Sequence, residues 1–467
     1  MLERRSFIST LAAGIGLTAF GKVRSGKPDL TVGVVSDIHL SPDSVRPSAE
    51  CVRTFERLLR FYRERGVDAV VIAGDFTNSG RMCEMQVTAD VWNRVFGSTG
   101  GPVKIFVTGN HEQVYFDKRR QAGELEDPVY AEGLYRDIRA NWKRLWNEDW
   151  SPFFVKQVKG YSFVGVHWGE WKDAAALRRF LSEHADELNR ARPFFYVQHA
   201  HPDNTCHGSG AWDTAKGVTE ILTDYPNAVA FSGHTHYTLA DERAVWQGGF
   251  TSIGTSALRC VYMPPGRENS NGNGRMPWMR GGSQGLLMTV WGDELALERY
   301  DLSSMSKLGD DWVVPVPYAR NGRRAFSFDE RAKESSAPVF AADAAIVLTR
   351  QKGMKPKSRQ PEDQFRLEFP AAVSRGDSLS RAFDYRIAVK KRDMAEKSYL
   401  VFPPGLETSE KLAPKKAYFV LGAEQLPSVP YTLSVTPRNS YGVEGRPLEV
   451  LVEDTVCFVG NKKENNK

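Results

Sequence analysis

The residues of this sequence that are best suited to chemistry are carboxylates and histidines that follow short apolar runs. Asp37 and His39 follow the first such run, Asp75 follows the second, and Asn110 with His111 follows the third. The candidates at the ends of such runs include six of the nine histidines in the chain: His39, His111, His199, His201, His234 and His236. A chance scatter would not concentrate histidines at such positions, so we predict that they share one site.

The residue types indicate which ligand this site would take. Asp37 and His39 stand two residues apart on an extended segment, as do His234 and His236, so each pair points to one side. Carboxylate, amide and imidazole ligands together suit Mn, Fe, Zn or Co better than Ca or Mg. Seven such ligands exceed one tetrahedral site and predict two metals ~3.5–4 Å apart, with Asp75 as the shared carboxylate.

The apolar runs also predict the elements that position these residues. Buried strands are predicted at 30–36, 69–73, 102–107, 161–167, 194–198 and 227–232, and helices at 49–65, 82–96 and 173–189. This alternation indicates an α/β domain with right-handed crossovers. Functional groups in such sheets gather beyond the carboxyl ends of the strands, which is where the candidate residues stand.

The remaining segments are predicted to be a helical insertion, a long loop and, towards the C-terminus, an all-β region. Residues 113–150 are helical and rich in aromatic residues, which predicts a covering insertion, and 266–283 are a long loop rich in Gly, Asn and Arg. A hairpin is predicted about Gly292-Asp293. Beyond it, short strands predict a small C-terminal β-sandwich: 345–348, 364–369, 383–389, 418–421 and 431–436.

Composition and the N-terminus bear on location and partners. The net charge of +5 over 467 residues is mild, and no basic run predicts a nucleic-acid partner. None of the five cysteines forms a Cys-x-x-Cys pair, which argues against a zinc finger.

Arg4-Arg5 before the apolar run 7–20 is similar to a twin-arginine export signal. We therefore predict an exported protein, periplasmic or extracellular, with no membrane span in the mature chain.

The motifs resemble those of the calcineurin-like metallophosphoesterases over roughly 30–300. The resemblance rests on five blocks: Asp37-Ile38-His39, Gly74-Asp75, Gly109-Asn110-His111-Glu112, a histidine after the strand at 194–198, and Gly233-His234-Thr235-His236. It implies a four-layer βα-sandwich fold, two divalent or trivalent transition metals, and hydrolysis of phosphate esters.

Site residues carry over from the family by position. The resemblance implies that one metal is held by Asp37, His39, Asp75 and His236, and the other by Asp75, Asn110, His199 and His234. It gives His111 the catalytic role of facing the substrate, either as proton donor to the leaving oxygen or as a stabiliser of phosphoryl charge.

One of the five blocks departs from the family pattern. The family commonly has the strand-end histidine two residues before a proline, where this chain has Ala200. We predict His199 as the ligand because it directly follows its strand. His201 is then expected beside the ligands or in contact with substrate. Further substrate contacts are predicted at His167, His207 and Asn78.

The sequence argues against two subgroups of this family. Purple acid phosphatases have a Tyr three residues after the Asp of the Gly-Asp pair, where this chain has Asn78. Protein phosphatases have an Arg after that Asp, whereas Phe76, Thr77 and Asn78 follow here. The expected substrate is a small phosphate monoester or diester, with a nucleotide or lipid-linked diphosphate as the alternative. A catalytically vestigial binding protein that acts through its β-sandwich would have lost ligands, and none is missing.

We predict five segments in all. They are an export signal at 1–27, a metallophosphoesterase domain at 28–300, a linker at 301–340, a β-sandwich at 341–457 and a polar tail at 458–467. Leu426-Pro427, Tyr431, Val435, Asn439 and Tyr441-Gly442 resemble the end of a fibronectin type III domain. Two roles are open for this sandwich: contact with a glycan or the cell surface, or packing on the enzyme.

Overall fold

A computed structural model describes residues 26–40, 47–122, 138–188, 191–270, 282–317, 324–354, 360–453 and 458–460. Most of the predicted export signal, much of the loop at 266–283 and the end of the polar tail lie outside these residues. Within them, no helix combines the length and apolar character that a membrane crossing requires.

The elements follow one another in the order that the sequence predicted. Through the first half of the chain they are β1 (Leu30–Val35), α1 (Pro47–Glu64), β2 (Ala69–Ala73), α2 (Met82–Phe96), β3 (Val103–Val107), α3 (Asn110–Gln121), α4 (Ile138–Trp146), β4 (Phe153–Val158), β5 (Tyr161–Val166), α5 (Ala174–Glu183), β6 (Phe194–Val197), α6 (Val218–Thr223), β7 (Ala228–Ser232), β8 (Val245–Gln247) and β9 (Thr251–Gly254).

The second half is mostly strands. They are β10 (Gln284–Trp291), β11 (Glu294–Asp301), β12 (Ser306–Lys307), β13 (Trp312–Pro315), the helix α7 (Phe328–Glu334), β14 (Ile346–Met354), β15 (Pro361–Pro370), β16 (Asp384–Lys390), β17 (Lys397–Val401), β18 (Lys416–Gly422), β19 (Tyr431–Arg438), β20 (Leu448–Val452) and β21 (Phe458–Gly460). The predicted hairpin is confirmed as β10 and β11, with Gly292 in the left-handed region at φ 65°.

Two mixed sheets form the first domain. The first sheet runs β12-β11-β10-β1-β2-β3, with β13 also paired to β11. Its strands β1, β2 and β3 are parallel, whereas β10 joins β1 antiparallel. The second sheet runs β4-β5-β6-β7-β9-β8, and its middle strands β5, β6, β7 and β9 are parallel. The carboxyl ends of β1, β2 and β3 therefore share one edge, as do those of β6 and β7.

The sheets and helices stack in four layers, as the predicted fold class requires. Apolar side chains of the two sheets form one buried core between them, with Val34 and Val71 from the first sheet and Phe195 and Phe231 from the second. Helices α1, α2 and α4 cover the outer face of the first sheet. Helices α5 and α6 cover the outer face of the second. Strands β1 and β2 are buried on both faces, which explains their continuous apolar sequences.

The segment predicted as a linker, 301–340, contains regular structure. Strands β12 and β13 extend the first sheet through β11, and Trp312 is buried in the core between the sheets. The Trp312 indole Nε1 donates to the Glu242 carboxylate at 2.8 Å. The first domain's sheet therefore continues to Pro315, because these short strands find their partner in a strand that the hairpin has already placed.

The C-terminal region is an all-β sandwich of two four-stranded sheets. One sheet runs β18-β15-β14-β21 and the other β17-β16-β19-β20, with every pairing antiparallel. The two sheets share one core that includes Leu367 and Leu421 from the first sheet and Ile387 and Val435 from the second. The five strands predicted here are confirmed within β14, β15, β16, β18 and β19.

An ion pair and a hydrogen bond beside a buried charge cluster attach the sandwich to the first domain. The Glu242 carboxylate accepts Arg299 at 2.8 Å and Arg331 of α7 at 2.9 Å, and all three side chains are at most 12% exposed. The Tyr441 hydroxyl of the sandwich donates to the Glu242 main-chain oxygen at 3.1 Å. Arg267 of the first domain pairs with Asp384 of the sandwich at 2.7 Å.

Candidate metal centre

The seven predicted metal ligands converge where the strands of both sheets end. Asp37 and His39 follow β1, and Asp75 follows β2. Asn110 begins the helix that follows β3, while His199 follows β6 and the two remaining histidines follow β7. Three overlapping groups of these and adjacent residues place one donor atom each within 4.8 Å of one another. They are Asp37 with His39 and His236; His39 with Asp75 and His111; and Asp75 with His199 and His234.

The first group surrounds one carboxylate oxygen. Oδ1 of Asp37 lies 3.0 Å from Nε2 of His236 and 3.7 Å from Nε2 of His39. These two Nε2 atoms lie 3.1 Å apart. The ring of His236 is oriented by Nδ1, which donates to the main-chain oxygen of Cys260 at 2.9 Å. Its Nε2 is therefore the nitrogen that can bind either a proton or a metal, and it faces the other two donors.

The group of Asp75, His199 and His234 is arranged around His199. Its Nδ1 donates to the main-chain oxygen of Ala73 at 2.7 Å, which leaves Nε2 to hold a proton or a metal. Nε2 lies 3.1 Å from Oδ2 of Asp75 and 3.1 Å from the amide oxygen of Asn110. Oδ2 of Asp75 also lies 3.6 Å from Nε2 of His39. Asp75 therefore stands between the two groups, in the position predicted for a shared carboxylate.

The backbone is strained at most of these positions. Asp37, His39, Asp75, His234 and His236 all have φ between 47° and 70°, a region that residues other than glycine seldom occupy. Strained conformations of this kind persist where the surrounding structure enforces them, and they concentrate at functional sites.

Three glycines allow the close approach of the groups. A Cβ at Gly74 would collide with the ring of His199, one at Gly109 with Asp75, and one at Gly233 with Asp37. These glycines belong to the motifs noted in the sequence, and their lack of a side chain is what lets the donors converge.

The donor set fits metal ions. Nε2 of His234 is buried and has no hydrogen-bond partner among the described residues. A buried polar atom without a partner is costly, and a cation in contact with it would remove that cost. Two carboxylates, one amide oxygen and four imidazoles are also the mixed ligand set that transition metals prefer over Ca or Mg.

The pKa values point to the same demand for positive charge. Burial alone would raise the pKa of Asp37 and of Asp75, but the adjacent histidines hold both pKa values below the usual range. Burial opposes protonation of His199, yet the two carboxylates raise its pKa to about 9. Burial lowers the pKa of His39 to about 4 and that of His234 to about 3. Carboxylate and neutral imidazole are the forms that bind metals.

His111 stands at the edge of the group and is partly exposed. Its side chain is 22% exposed, and its ring centroid lies 4.5 Å from that of His39. Nδ1 donates to the main-chain oxygen of Asn78 at 2.7 Å, and Nε2 lies 3.8 Å from Oδ2 of Asp75. His111 can therefore reach a molecule bound over the group, whereas His199 is wholly buried.

Glu112 supports the site from beneath, a role that the sequence analysis did not assign. Its carboxylate accepts the main-chain N–H groups of Asp75 at 3.1 Å, Thr77 at 2.9 Å and Gly109 at 2.8 Å, together with the Thr77 hydroxyl at 2.7 Å. Burial and the nearby Asp75 raise its pKa to about 7. One side chain thus ties the end of β2 to the end of β3. Its place in the Gly-Asn-His-Glu motif was the available signal.

Two of the four residues predicted as substrate contacts, His167 and His201, are buried. His167 is 1% exposed, accepts from the Thr108 N–H at 3.0 Å and lies against Trp150, so it is part of the core. His201 is 2% exposed, and its ring joins the hydroxyls of Ser232 at 2.6 Å and Thr235 at 2.8 Å. His201 therefore supports the loop between His234 and His236 from below.

The other two predicted contacts are more accessible. His207 is 25% exposed and pairs through Nδ1 with Asp241 at 2.7 Å, outside the three donor groups. Asn78 is half-buried and orients His111 through its main-chain oxygen. Of the four residues, Asn78 is the one that touches the group directly.

Two residues beside the candidate metal centre, Arg259 and Tyr262, were not predicted from the sequence. Nη1 of Arg259 donates to the main-chain oxygen of His39 at 3.0 Å. The ring of Tyr262 stacks on His236 with centroids 4.7 Å apart and an interplanar angle of 16°. Both lie on a segment that folds back over the end of β1, where the main-chain N–H of Arg259 donates to the main-chain oxygen of Asp37. No local sequence pattern signals such a return.

Comparison with known proteins identifies the domain that carries this site. Residues 30–238 match the family model described as calcineurin-like phosphoesterase. No curated protein matches the chain.

Solved structures that are similar to this chain include one dimetal phosphatase and one purple acid phosphatase. A dimetal phosphatase from Danio rerio is 11% identical, with 62% of this chain and 99% of that chain covered at a TM-score of 0.38. A purple acid phosphatase from yellow lupin, Lupinus luteus, is 12% identical, with 62% and 55% covered at a TM-score of 0.39.

The phosphoesterase YfcE from E. coli is also similar. It is 15% identical, with 62% of this chain and 100% of that chain covered at a TM-score of 0.27. Since all three TM-scores are below 0.5, the identification rests on the family model together with the site. Residues 30–238, which carry all seven predicted ligands, match the calcineurin-like phosphoesterase model, and this match together with the site supports a phosphoric ester hydrolase.

Proposed function

We propose that this protein is an exported, dinuclear metal-dependent phosphohydrolase that cleaves a small phosphate monoester or diester. The observation that carries this proposal is the convergence of seven donor side chains with one partly exposed histidine. Asp75 stands between two donor groups, which is the arrangement that two neighbouring ions need.

The donor groups assign ligands to each ion. Asp37, His39, Asp75 and His236 would hold one, and Asp75, Asn110, His199 and His234 the other, with Mn, Fe, Zn or Co as candidates. When bound, such ions supply a water of lowered pKa and positive charge beside the phosphoryl oxygens.

The remaining residues position groups around the phosphate. His111 is held by Asn78 through Nδ1, and its Nε2 lies 3.8 Å from Oδ2 of Asp75 on a partly exposed side chain. In this position it can give a proton to the leaving oxygen or stabilise phosphoryl charge. Glu112 keeps the turns that carry Asp75 and Asn110 in a fixed relation. The buried His201 contacts Ser232 and Thr235 and so supports the loop that carries His234 and His236.

Export and the C-terminal sandwich extend the proposal. Arg4-Arg5 and the apolar run that follows support twin-arginine export, which carries folded proteins and suits an enzyme that loads metal beforehand. We propose that the sandwich is related to fibronectin type III domains and contacts a glycan or the cell surface. Its attachment through Glu242 and Asp384 also supports a simple packing role.

The proposal is tested by hydrolysis assays on the metal-loaded mature protein. We expect turnover of bis-p-nitrophenyl phosphate or p-nitrophenyl phosphate, and a fall of ~10²-fold or more in His111→Ala. His184→Ala is the matched control, since His184 is a partly exposed histidine at the end of α5 and far from the motifs. An equal rate in His111→Ala and His184→Ala would refute the role of His111, and absence of turnover on a broad panel of phosphoesters would refute the proposal.

A further inference from the structure

An exposed tryptophan stands beside the metal centre. Trp212 is 54% exposed, the largest aromatic side chain among the exposed apolar residues that the structure describes. Its ring centroid lies 6.1 Å from that of His234, one of the predicted ligands. A tryptophan left open to solvent forgoes much of the burial that normally stabilises this side chain. The position therefore needs an explanation other than packing.

The loop that carries Trp212 is firmly anchored at its base. This loop, residues 203–217, is closed by a bridge between Pro202 and Ala215, and the Ala215 N–H donates to the His201 oxygen at 2.9 Å. Asp203 accepts the N–H of Gly217 at 3.1 Å. Because the base is fixed, the indole is presented at a defined place.

The backbone at Trp212 is itself unusual. Its φ is 47°, in the left-handed region that bulky residues seldom enter. An exposed indole close to the donor groups is therefore carried by a strained backbone. Among the described residues near the metal centre, the same backbone region is occupied by five of the seven predicted ligands.

Trp212 forms a corner with a second aromatic ring. Its centroid lies 6.1 Å from that of Tyr262 at an interplanar angle of 87°, and Tyr262 stacks in turn on His236. Trp168, which is buried, lies 5.3 Å from His234 and backs the same side of the site. We call Trp212 and Tyr262 the aromatic corner.

Two rings at a right angle accommodate a planar ring in both favoured geometries. A planar substituent can lie against the face of one ring while its edge meets the face of the other, and both arrangements are attractive. The corner adjoins His234 and His236, so a ring seated there would lie next to a phosphate bound at the donor groups. A short alkyl group on the same phosphate would reach neither ring face fully.

We propose that the aromatic corner is a substrate subsite that selects phosphoesters bearing a planar unsaturated ring, such as an aryl group or a nucleobase. This inference rests on the proposed function, because it requires the phosphate to bind at the donor groups. It assigns Trp212 as a specificity-determining residue that contacts the organic group of the substrate and has no part in bond cleavage.

The test compares binding of two non-hydrolysable anions to the metal-loaded, full-length protein. Phenylphosphonate and methylphosphonate are titrated by calorimetry into wild type and Trp212→Ala. Loss of one stacked ring should raise the dissociation constant of phenylphosphonate about 5-fold or more and leave that of methylphosphonate within about 2-fold. Trp212→Phe should keep most of the preference, since a ring remains.

Tyr418→Ala is the matched control. Tyr418 is an aromatic residue that is 44% exposed on the C-terminal sandwich, and its removal should change neither constant. If Trp212→Ala weakens the two phosphonates equally, or neither, the subsite is refuted while the proposed function stands. If the wild type binds neither anion and hydrolyses no phosphoester, the proposed function fails and the subsite fails with it.

Discussion

Replacement of Glu112 should destabilise the first domain more than replacement of a surface carboxylate does. The Glu112 carboxylate is 1% exposed and accepts four hydrogen bonds, from Asp75, from Gly109 and twice from Thr77. A buried donor left without a partner costs ~1–3 kcal/mol. Glu112→Ala leaves four such donors, and water entering the space recovers part of the loss. We expect unfolding to become easier by about 4 kcal/mol.

A second variant tests the origin of that loss. Glu112→Gln keeps the volume and one acceptor oxygen, but turns an NH₂ group toward two of the donors. We expect this variant to lose about half as much, roughly 2 kcal/mol. Glu56→Ala is the control, because Glu56 also accepts two side chains, Arg60 and Arg94, but does so at the surface. Surface pairs of this kind contribute at most ~1 kcal/mol.

The assay is urea unfolding of the metal-free protein with a chelator present, so that loss of bound ions does not enter the comparison. Metal content after reconstitution is measured in parallel, because the turn that carries Asp75 should also shift in Glu112→Ala. An unfolding free energy of Glu112→Ala within 1 kcal/mol of wild type, or no larger change than in Glu56→Ala, would refute the reasoning about the buried network.

Three further predictions concern sterics, acid sensitivity and metal removal. Gly109→Ala should abolish metal binding because its Cβ would collide with Asp75. Gly210→Ala, whose Cβ would meet open space, should bind metal normally, and elemental analysis measures the metal content of both proteins. Arg243 and His207 hold the pKa of Asp241 below its usual range, against the effect of burial. The ionised Asp241 therefore stabilises the fold above the unfolded-state pKa of ~4, and this contribution is lost as the pH falls further. Asp241→Asn should therefore flatten the decline in thermal stability below about pH 4 while lowering stability at neutral pH, and an unchanged slope would contradict the pairing. Chelation of the wild type should lower the unfolding temperature by the equivalent of ~4 kcal/mol if free metal had been 1,000-fold above its dissociation constant, and no shift would argue against binding to the folded state.

The strand ends of the first domain were predictable because their burial is continuous. Strands β1 and β2 are buried at every residue, so their sequences are uninterrupted apolar runs with a clear end. The residue that follows each run is then identified without knowledge of the fold. The convergence of these ends follows from the parallel order of β1, β2 and β3 alone.

Residues that reach the site from distant loops were not predictable in this way. Arg259 and Tyr262 are placed by main-chain hydrogen bonds to Asp37 and His236, which are distant in the sequence. His167 illustrates the opposite error, since it ends a strand but is covered by Trp142 and Trp150 from the aromatic insertion. Position at a strand end indicates a site only where no later segment covers it.

Short polar strands also escaped prediction. Ser306–Lys307 of β12 has neither length nor an apolar pattern, and it is a strand because β11 offers it a partner. Pairing of this kind is decided by tertiary structure and not by propensity.

The most direct test of the central claim is the metal content of the purified mature protein after reconstitution with Mn, Fe or Zn, by elemental mass spectrometry. The two donor groups that share Asp75 predict about two bound ions per chain in the wild type, and loss of both in Asp75→Ala. Wild-type protein that binds no metal under these conditions, or Asp75→Ala that keeps both ions, would contradict a dinuclear centre at these strand ends.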